Sequence, residues 1–206
     1  MLGLPKTTEI YKPLPKKAVF AKFKPKAADR KLFDEQISRL AIVAEISPQT
    51  VNIAEGTDVA VVYVILVMLK TADCDKRNIT LLSKLIDQRM LFALKYKGTM
   101  QLAVYRAGRV LVSEGKPIDD WKLNLIGLDL GVVWENIIAQ VGGFDLAEGK
   151  SLDEMIITKE HREKLVKQIT ALEKRAMKER QPRRKWELAE KVRQLKNQLE
   201  GEMQNE

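Results

Sequence analysis

Apolar residues follow two different rhythms along this chain, and the change of rhythm divides it. Through the first 150 residues, short apolar runs bounded by turn residues predict strands, with helices between them. In the last fifty residues, apolar positions recur every three or four residues in a charged sequence, which is typical of helices that pair along a seam. The pattern predicts an α/β or α+β core with a mixed sheet and flanking helices, followed by a C-terminal antiparallel helical hairpin or coiled coil.

Within the core, the longest apolar run covers residues 59–70 and is rich in valine, so we expect it to form the central strand of the sheet. An apolar helical face over residues 28–40 predicts a helix that lies on this sheet. By the same criteria we expect further strands over 39–47, 50–53, 90–96, 100–106, 110–113 and 121–126, and further helices over 79–88 and 132–141.

The tail pattern is interrupted once, at Gln181-Pro182, which predicts two helical arms and a bend. Ser151 and Glu154 have the spacing of a capping box, so the first arm is expected to begin there. An antiparallel hairpin is favoured because each arm is short and must bury its apolar stripe; the alternative is one long kinked helix that dimerises. The two stripes are Leu165, Ile169, Leu172 and Ala176, then Leu188, Val192, Leu195 and Leu199.

Positive charge is concentrated around the bend. Seven cations face a single acid, Glu179, within twelve positions, which gives this segment a net charge of +6. Such a bend suits contact with a phosphate backbone or with an acidic groove of a partner protein. The other interpretation is a tip that solvent alone neutralises. The cations are Lys174, Arg175, Lys178, Arg180, Arg183, Arg184 and Lys185.

The N-terminus is a second basic segment, in which four prolines divide residues 1–26 into short pieces. We interpret it as an arm whose lysines, among them Lys16, Lys17, Lys22 and Lys24, contact phosphate or a partner surface, or else as a solvated cover on the core. The predicted organisation is therefore a basic arm over residues 1–26, a core over 27–150 and a helical hairpin over 151–206.

Composition excludes several classes of catalyst. The chain has 206 residues and a net charge of +8, but only one cysteine, Cys74, and one histidine, His161. Zinc sites need several such ligands, and the usual nucleophilic triads need a histidine beside the nucleophile. Glycine-rich phosphate-binding loops are also missing from the sequence. We therefore expect no catalytic residue, metal or cofactor.

The chain is expected to be cytoplasmic. Its longest apolar run is about half the length that a membrane helix needs, and its first residues lack the pattern of a secretory signal. A single cysteine leaves no intramolecular disulfide, which fits a reducing compartment.

One grouping keeps an enzymatic alternative open. Asp58 precedes the predicted central strand, Lys70 ends it and Gln88 follows on the next helix, an order similar to that of nucleases that hold a metal-bound water between acids and a lysine. Those nucleases carry an acid two residues before the lysine, and here that position is Met68. The alternative is therefore a degenerate or metal-dependent nuclease subunit.

Four segments together resemble an uncharacterised bacterial family known only as a domain of unknown function. The resemblance implies genes beside superfamily-two helicases and DNA methyltransferases in restriction-like or antiviral defence islands, and it brings no catalytic residues. We therefore expect a non-enzymatic accessory subunit that binds a helicase or methyltransferase, with DNA as a further partner; a scaffold that self-associates through its tail is a third alternative. The segments are Leu14-Pro-Lys-Lys-Ala-Val-Phe20, Ser47-Pro-Gln-Thr-Val-Asn-Ile53, Val67-Met-Leu-Lys70 and Leu82-Leu-Ser-Lys-Leu-Ile-Asp-Gln-Arg-Met-Leu-Phe-Ala-Leu-Lys95.

Overall fold

The computed structural model describes residues 2–146 and 151–204. The chain divides into two compact units, Met1–Gly149 and Lys150–Glu206, which are described separately below. Within the described residues, none of the helices combines the length and the apolar character that crossing a membrane would need.

The first unit consists of strands and helices in mixed order. It contains two short 3₁₀ turns, Lys6–Thr8 before the first strand and Ile118–Asp120 after the last. Its other elements are β1 (Glu9–Pro13), α1 (Lys16–Phe23), α2 (Ala27–Gln36), β2 (Ile37–Ile46), α3 (Pro48–Val51), β3 (Val62–Leu69), α4 (Lys76–Leu82), β4 (Arg89–Tyr96), β5 (Thr99–Arg106), β6 (Arg109–Val112), β7 (Lys116–Pro117) and α5 (Leu130–Gly142).

The strands form one mixed sheet in the order β1-β2-β3-β4-β5-β6, with β7 also paired to β5. Among the strands of the described residues, only β3 and β4 pair in parallel, in the register Val62↔Arg89 to Met68↔Lys95, and α4 supplies the crossover that parallel neighbours require. The other pairs in the sheet are antiparallel. The predicted mixed sheet with flanking helices is confirmed, and the run that we expected to be central forms the interior strand β3.

One face of the sheet packs against α1, α2 and α4. Alternate residues of β3 and β4, such as Ile65 and Phe92, point to this face because strand side chains alternate. Phe33 of α2 and Ile79 of α4 cover them, and all four side chains are at most 1% exposed. The predicted helix on the sheet is thus present.

Helix α5 contacts β5 and β6, and its buried side chains, such as Leu130 and Ile137, lie outside this cluster. Its first turn is capped by Asp129, whose carboxylate accepts from the N–H of Gly131 at 2.8 Å and of Val132 at 3.0 Å. The helix ends at Gly143, whose φ of +68° is the left-handed conformation that glycine adopts without strain.

Four local predictions differ from the structure, two in the residue at which a helix ends and two in the type of element. The helix over 28–40 ends at Gln36, because the buried Ile37 pairs with Leu69 and starts β2. The strand over 50–53 is instead the short helix α3, in which Ser47 and Thr50 form a capping box. The helix over 79–88 already ends at Leu82.

The strand expected over 121–126 is also absent, although its apolar and polar residues alternate. Its backbone bonds to groups outside the sheet: the Gln140 side chain accepts from the N–H of Asn124 at 2.9 Å and donates to its carbonyl at 2.8 Å. The Leu123 N–H donates to the carbonyl of Leu2. The Trp121 side chain, in contrast, does bond to the sheet, since its indole donates to the carbonyl of Met100 in β5. A side chain of α5 therefore takes the place of a neighbouring strand.

The second unit is the predicted helical hairpin. Helix α6 (Leu152–Lys178) starts at the capping box of Ser151 and Glu154, and α7 (Pro182–Gln204) packs against it after a short bend. Leu165, Ile169 and Val192 of the predicted seam are buried. The two-helix prediction is confirmed over the single kinked helix, since the apolar stripe of each arm is covered within one chain.

Candidate functional site

The bend of the hairpin is built around its single acid, Glu179. Its carboxylate accepts from the backbone N–H of Arg180 at 2.9 Å and of Gln181 at 3.0 Å. The bond from Gln181, followed by that from Arg180 and the charge of Arg184, holds the pKa of Glu179 below its ordinary range. The carboxylate is thus engaged by the backbone of the bend.

We call residues 174–185 the hairpin tip. Its seven cations are all exposed, and among the described residues Arg183 alone of them is paired with a carboxylate, that of Glu187 at 3.4 Å. This pair contributes little, because the Arg183 side chain is 92% exposed and ion pairs in water are worth about 0–1 kcal/mol. The tip therefore presents almost its whole positive charge to solvent.

Packing along the hairpin explains why these cations face outward. The seam turns the apolar side of both helices inward, and Lys196 of α7 is bonded to Glu173 of α6 at 2.8 Å, which links the two arms beside the tip. A helix that buries one stripe leaves the rest of its circumference to solvent. The cations are spread over that remaining surface.

Two of the four predicted cations of the N-terminal arm bind groups of the first unit, unlike the cations of the hairpin tip. The Lys16 ammonium is bonded to Asp34 at 3.0 Å and also donates to the carbonyl of Ile37. The Lys22 ammonium donates to the carbonyl of Leu85 at 2.7 Å. Both lysines tie α1 to other parts of the first unit. Lys17 and Lys24 are exposed.

Lys24 also lines a groove of about 460 Å³ between the α1–α2 junction and α4. Lys26 and Lys84 line it as well, and so does Arg77, whose guanidinium is bonded to Asp29 and Asp75. The groove is a second basic surface, but part of its charge is matched by these acids.

The residues of the predicted nuclease grouping are not brought together. Asp58 and Gln88 do line one cleft of about 460 Å³, at the edge of the sheet where β3 and β4 begin. Lys70 follows the last residue of β3, about 25 Å away at the rise of an extended strand, and donates to the carbonyl of Asp34. The grouping of Lys70 with Asp58 and Gln88 is therefore wrong. Within residues 2–146 and 151–204, the acids, cysteine and histidine form no cluster able to hold a metal ion.

The model of one protein family, described as Domain of unknown function (DUF4391), matches residues 2–199. The chain belongs to this family. Nothing among curated proteins or solved structures matches it. The predicted membership of a domain-of-unknown-function family is confirmed, and the DUF4391 match takes in both units.

This DUF4391 chain carries one cysteine thiol, that of Cys74. Cys74 is mostly buried, and this desolvation raises the pKa of its thiol to about 11. The thiol is therefore protonated at neutral pH and is a poor nucleophile.

Sequence reasoning missed two residues of this DUF4391 chain beside the bend. Trp186, one residue past the hairpin tip, is 68% exposed, and Met177 within it is 80% exposed. The sequence did indicate their exposure, because neither residue belongs to the apolar stripe of its own helix. A large apolar residue off the stripe of a two-helix hairpin has no neighbour to cover it.

Proposed function

We propose that this protein is a non-enzymatic accessory subunit of a DNA-processing complex of the restriction-like or antiviral defence type. In this role its hairpin tip binds the phosphate backbone of DNA, while its first unit associates with a helicase or DNA methyltransferase subunit. The family resemblance supports the choice of partner, because it implies genes placed beside those enzymes.

The observation that carries the proposal is the charge of the hairpin tip. Seven cations lie within twelve residues, all are exposed, and the one acid among them is bonded to the backbone of the bend. Like charges at this density repel one another in the free protein. A polyanion relieves that repulsion, and the release of its counterions favours binding.

The shape of the hairpin tip supports the same role. Two antiparallel helices bring the cations of the α6 end and the α7 start to one end of a narrow rod. The N-terminus of α7 also lies at the bend, and the positive end of a helix dipole attracts negative charge. Such an end fits against a DNA backbone without reading bases, so we expect binding that depends on salt and not on sequence.

The test compares two triple charge reversals in the full-length protein. Arg183→Glu, Arg184→Glu and Lys185→Glu change the hairpin tip, whereas Lys167→Glu, Lys191→Glu and Arg193→Glu change three exposed cations farther along the same helices. Both variants carry the same net charge. We expect the tip variant to bind duplex DNA roughly a hundredfold more weakly, and the slope of log affinity against log salt to fall by about three.

Copurification with the helicase or methyltransferase completes the test, and circular dichroism confirms that both variants fold. If the two reversals weaken DNA binding equally, the tip has no special role and net charge alone acts. Copurification should be unchanged in the tip variant, because the first unit binds the partner; unchanged DNA affinity in that variant would refute the proposed function of the tip.

A further inference from the structure

Trp186 is a tryptophan whose side chain lies largely in water. It belongs to the second turn of α7, directly after the last cation of the hairpin tip, and 68% of it is exposed. In the described part of the chain, no hydrogen bond, ring contact or cation over the ring engages its indole. What distinguishes this ring is its position beside exposed cations, because an aromatic face next to positive charge is the combination that binds a nucleotide.

The position of the ring on its helix keeps it away from the seam. Trp186 precedes Leu188 of the seam by two residues, which places it about 200° around the helix. Arg183 lies one turn earlier on the same outer side, with its side chain 92% exposed. An aromatic face and a guanidinium are therefore neighbours at the end of the rod.

We infer that Trp186 stacks on an unpaired base, so that the hairpin tip binds single-stranded DNA in preference to duplex. This inference rests on the proposed function, because the tip cations supply the contacts to phosphate. Each nucleotide of a single strand offers one phosphate and one free base face, and the tip offers cations beside an aromatic ring. In an intact duplex the base faces are stacked inside, so the indole would gain no contact there.

An acidic pocket on a protein is the competing occupant, and the charge of the tip disfavours it. Such a pocket would have to gather about six carboxylates around an apolar cavity to match the net charge of +6. A nucleic acid strand carries that charge density along its whole length.

The distribution of tryptophans makes the inference testable by fluorescence. The chain has three, and Trp121 and Trp134 are only 7% and 4% exposed, so a stacked base can quench only Trp186 directly. Full-length protein is titrated with an oligothymidylate of about 20 nucleotides and with a duplex of equal length. We expect the oligothymidylate to quench the emission, and Trp186→Phe to abolish most of this quenching while preserving the fold.

Affinities of labelled DNA measured by anisotropy give the second readout. Trp186→Ala is expected to weaken oligothymidylate binding roughly tenfold and duplex binding less than about twofold, because stacking contributes only to the unpaired strand. The matched control is Tyr11→Ala, which removes an aromatic residue that is 75% exposed in the first unit and should change neither affinity.

The outcomes separate this inference from the proposed function. If Trp186→Ala leaves both affinities unchanged, or weakens both equally, stacking is overturned while the charge reversals still test the role of the tip. If the charge reversals have no effect, the proposed function of the tip fails even when the indole is quenched. Loss of partner copurification in Trp186→Ala, with oligothymidylate binding unchanged, would assign the ring to a protein pocket and overturn the inference.

Discussion

The N-terminal arm and the hairpin tip were predicted from the same signal, a run of basic residues, yet they use their cations in different ways. In the arm, the ammonium groups of Lys16 and Lys22 are bonded to a carboxylate or to carbonyls of the first unit. At the hairpin tip only Arg183 has a carboxylate partner among the described residues. A cation that satisfies its own fold has less to offer a ligand, so the comparison points to the tip.

The difference follows from what surrounds each segment. The arm is short and lies against a sheet and helices, which expose helix-end carbonyls and acids within reach of a lysine. The tip is the end of two helices, and its cations lie on surface that their seam leaves exposed. A long cationic side chain there reaches solvent and its own neighbours, which are mostly cations.

The largest expected effect is on the free energy of unfolding, when a buried aromatic residue is compared with an exposed one. Phe33 is completely buried and packs edge-on against Phe20 with ring centroids 5.3 Å apart. Phe33→Ala should lower the free energy of unfolding by about 3–5 kcal/mol because it leaves a cavity. Trp186→Ala should change it by less than about 0.5 kcal/mol. Denaturant unfolding of both variants measures this difference, and a comparable loss in both would mean that Trp186 is structural.

A smaller effect on stability is expected when a lysine of the N-terminal arm is compared with a lysine of the hairpin tip. Lys16→Met removes an ammonium that is bonded to Asp34 and Ile37, so we expect a loss of about 1 kcal/mol of stability and no change in DNA affinity. Lys178→Met removes an exposed tip cation, and it should leave stability unchanged while weakening DNA binding a few-fold. Unfolding and anisotropy measurements on both variants test the pair. If Lys16→Met weakens DNA binding and Lys178→Met does not, the arm and not the tip is the DNA-binding segment.

Much of the fold could be predicted from apolar periodicity, because burial and periodicity have the same cause. The strands from β3 to β6 and the two tail helices lie close to their predicted bounds. Prediction failed where a single side chain decides the backbone conformation. Thr50 bonds to Ser47 and turns an apparent strand into a helix, and Gln140 satisfies the backbone of Asn124 from a distance of sixteen residues. Neither choice has a periodic signature.

The candidate site was predictable only in its charge. Clustered cations around a proline are visible in the sequence, whereas whether each has a partner depends on tertiary neighbours. Lys16 is bonded to Asp34, which lies eighteen residues later in the chain. Lys70 and Asp58 lie at opposite ends of β3 and do not meet. The sequence shows that Trp186 lies off the apolar stripe of its helix. Its exposure could not be predicted from this alone, because it depends on whether a further helix packs against that side of the hairpin.

The smallest effect concerns the acid that holds the bend. Because the N–H groups of Gln181 and Arg180 donate to Glu179, its pKa lies below the ordinary value of 4.5 in the folded protein. The stability contributed by this lowered pKa is therefore present above pH 4.5 and is lost as the pH falls through the lowered value. The backbone amide signals of Arg180 and Gln181, followed by NMR, should shift with a midpoint below 4.5, and Glu179→Gln should remove that shift. A midpoint at or above 4.5 would mean that neither N–H donates to the carboxylate, so that Glu179 would not hold the bend as the structure describes.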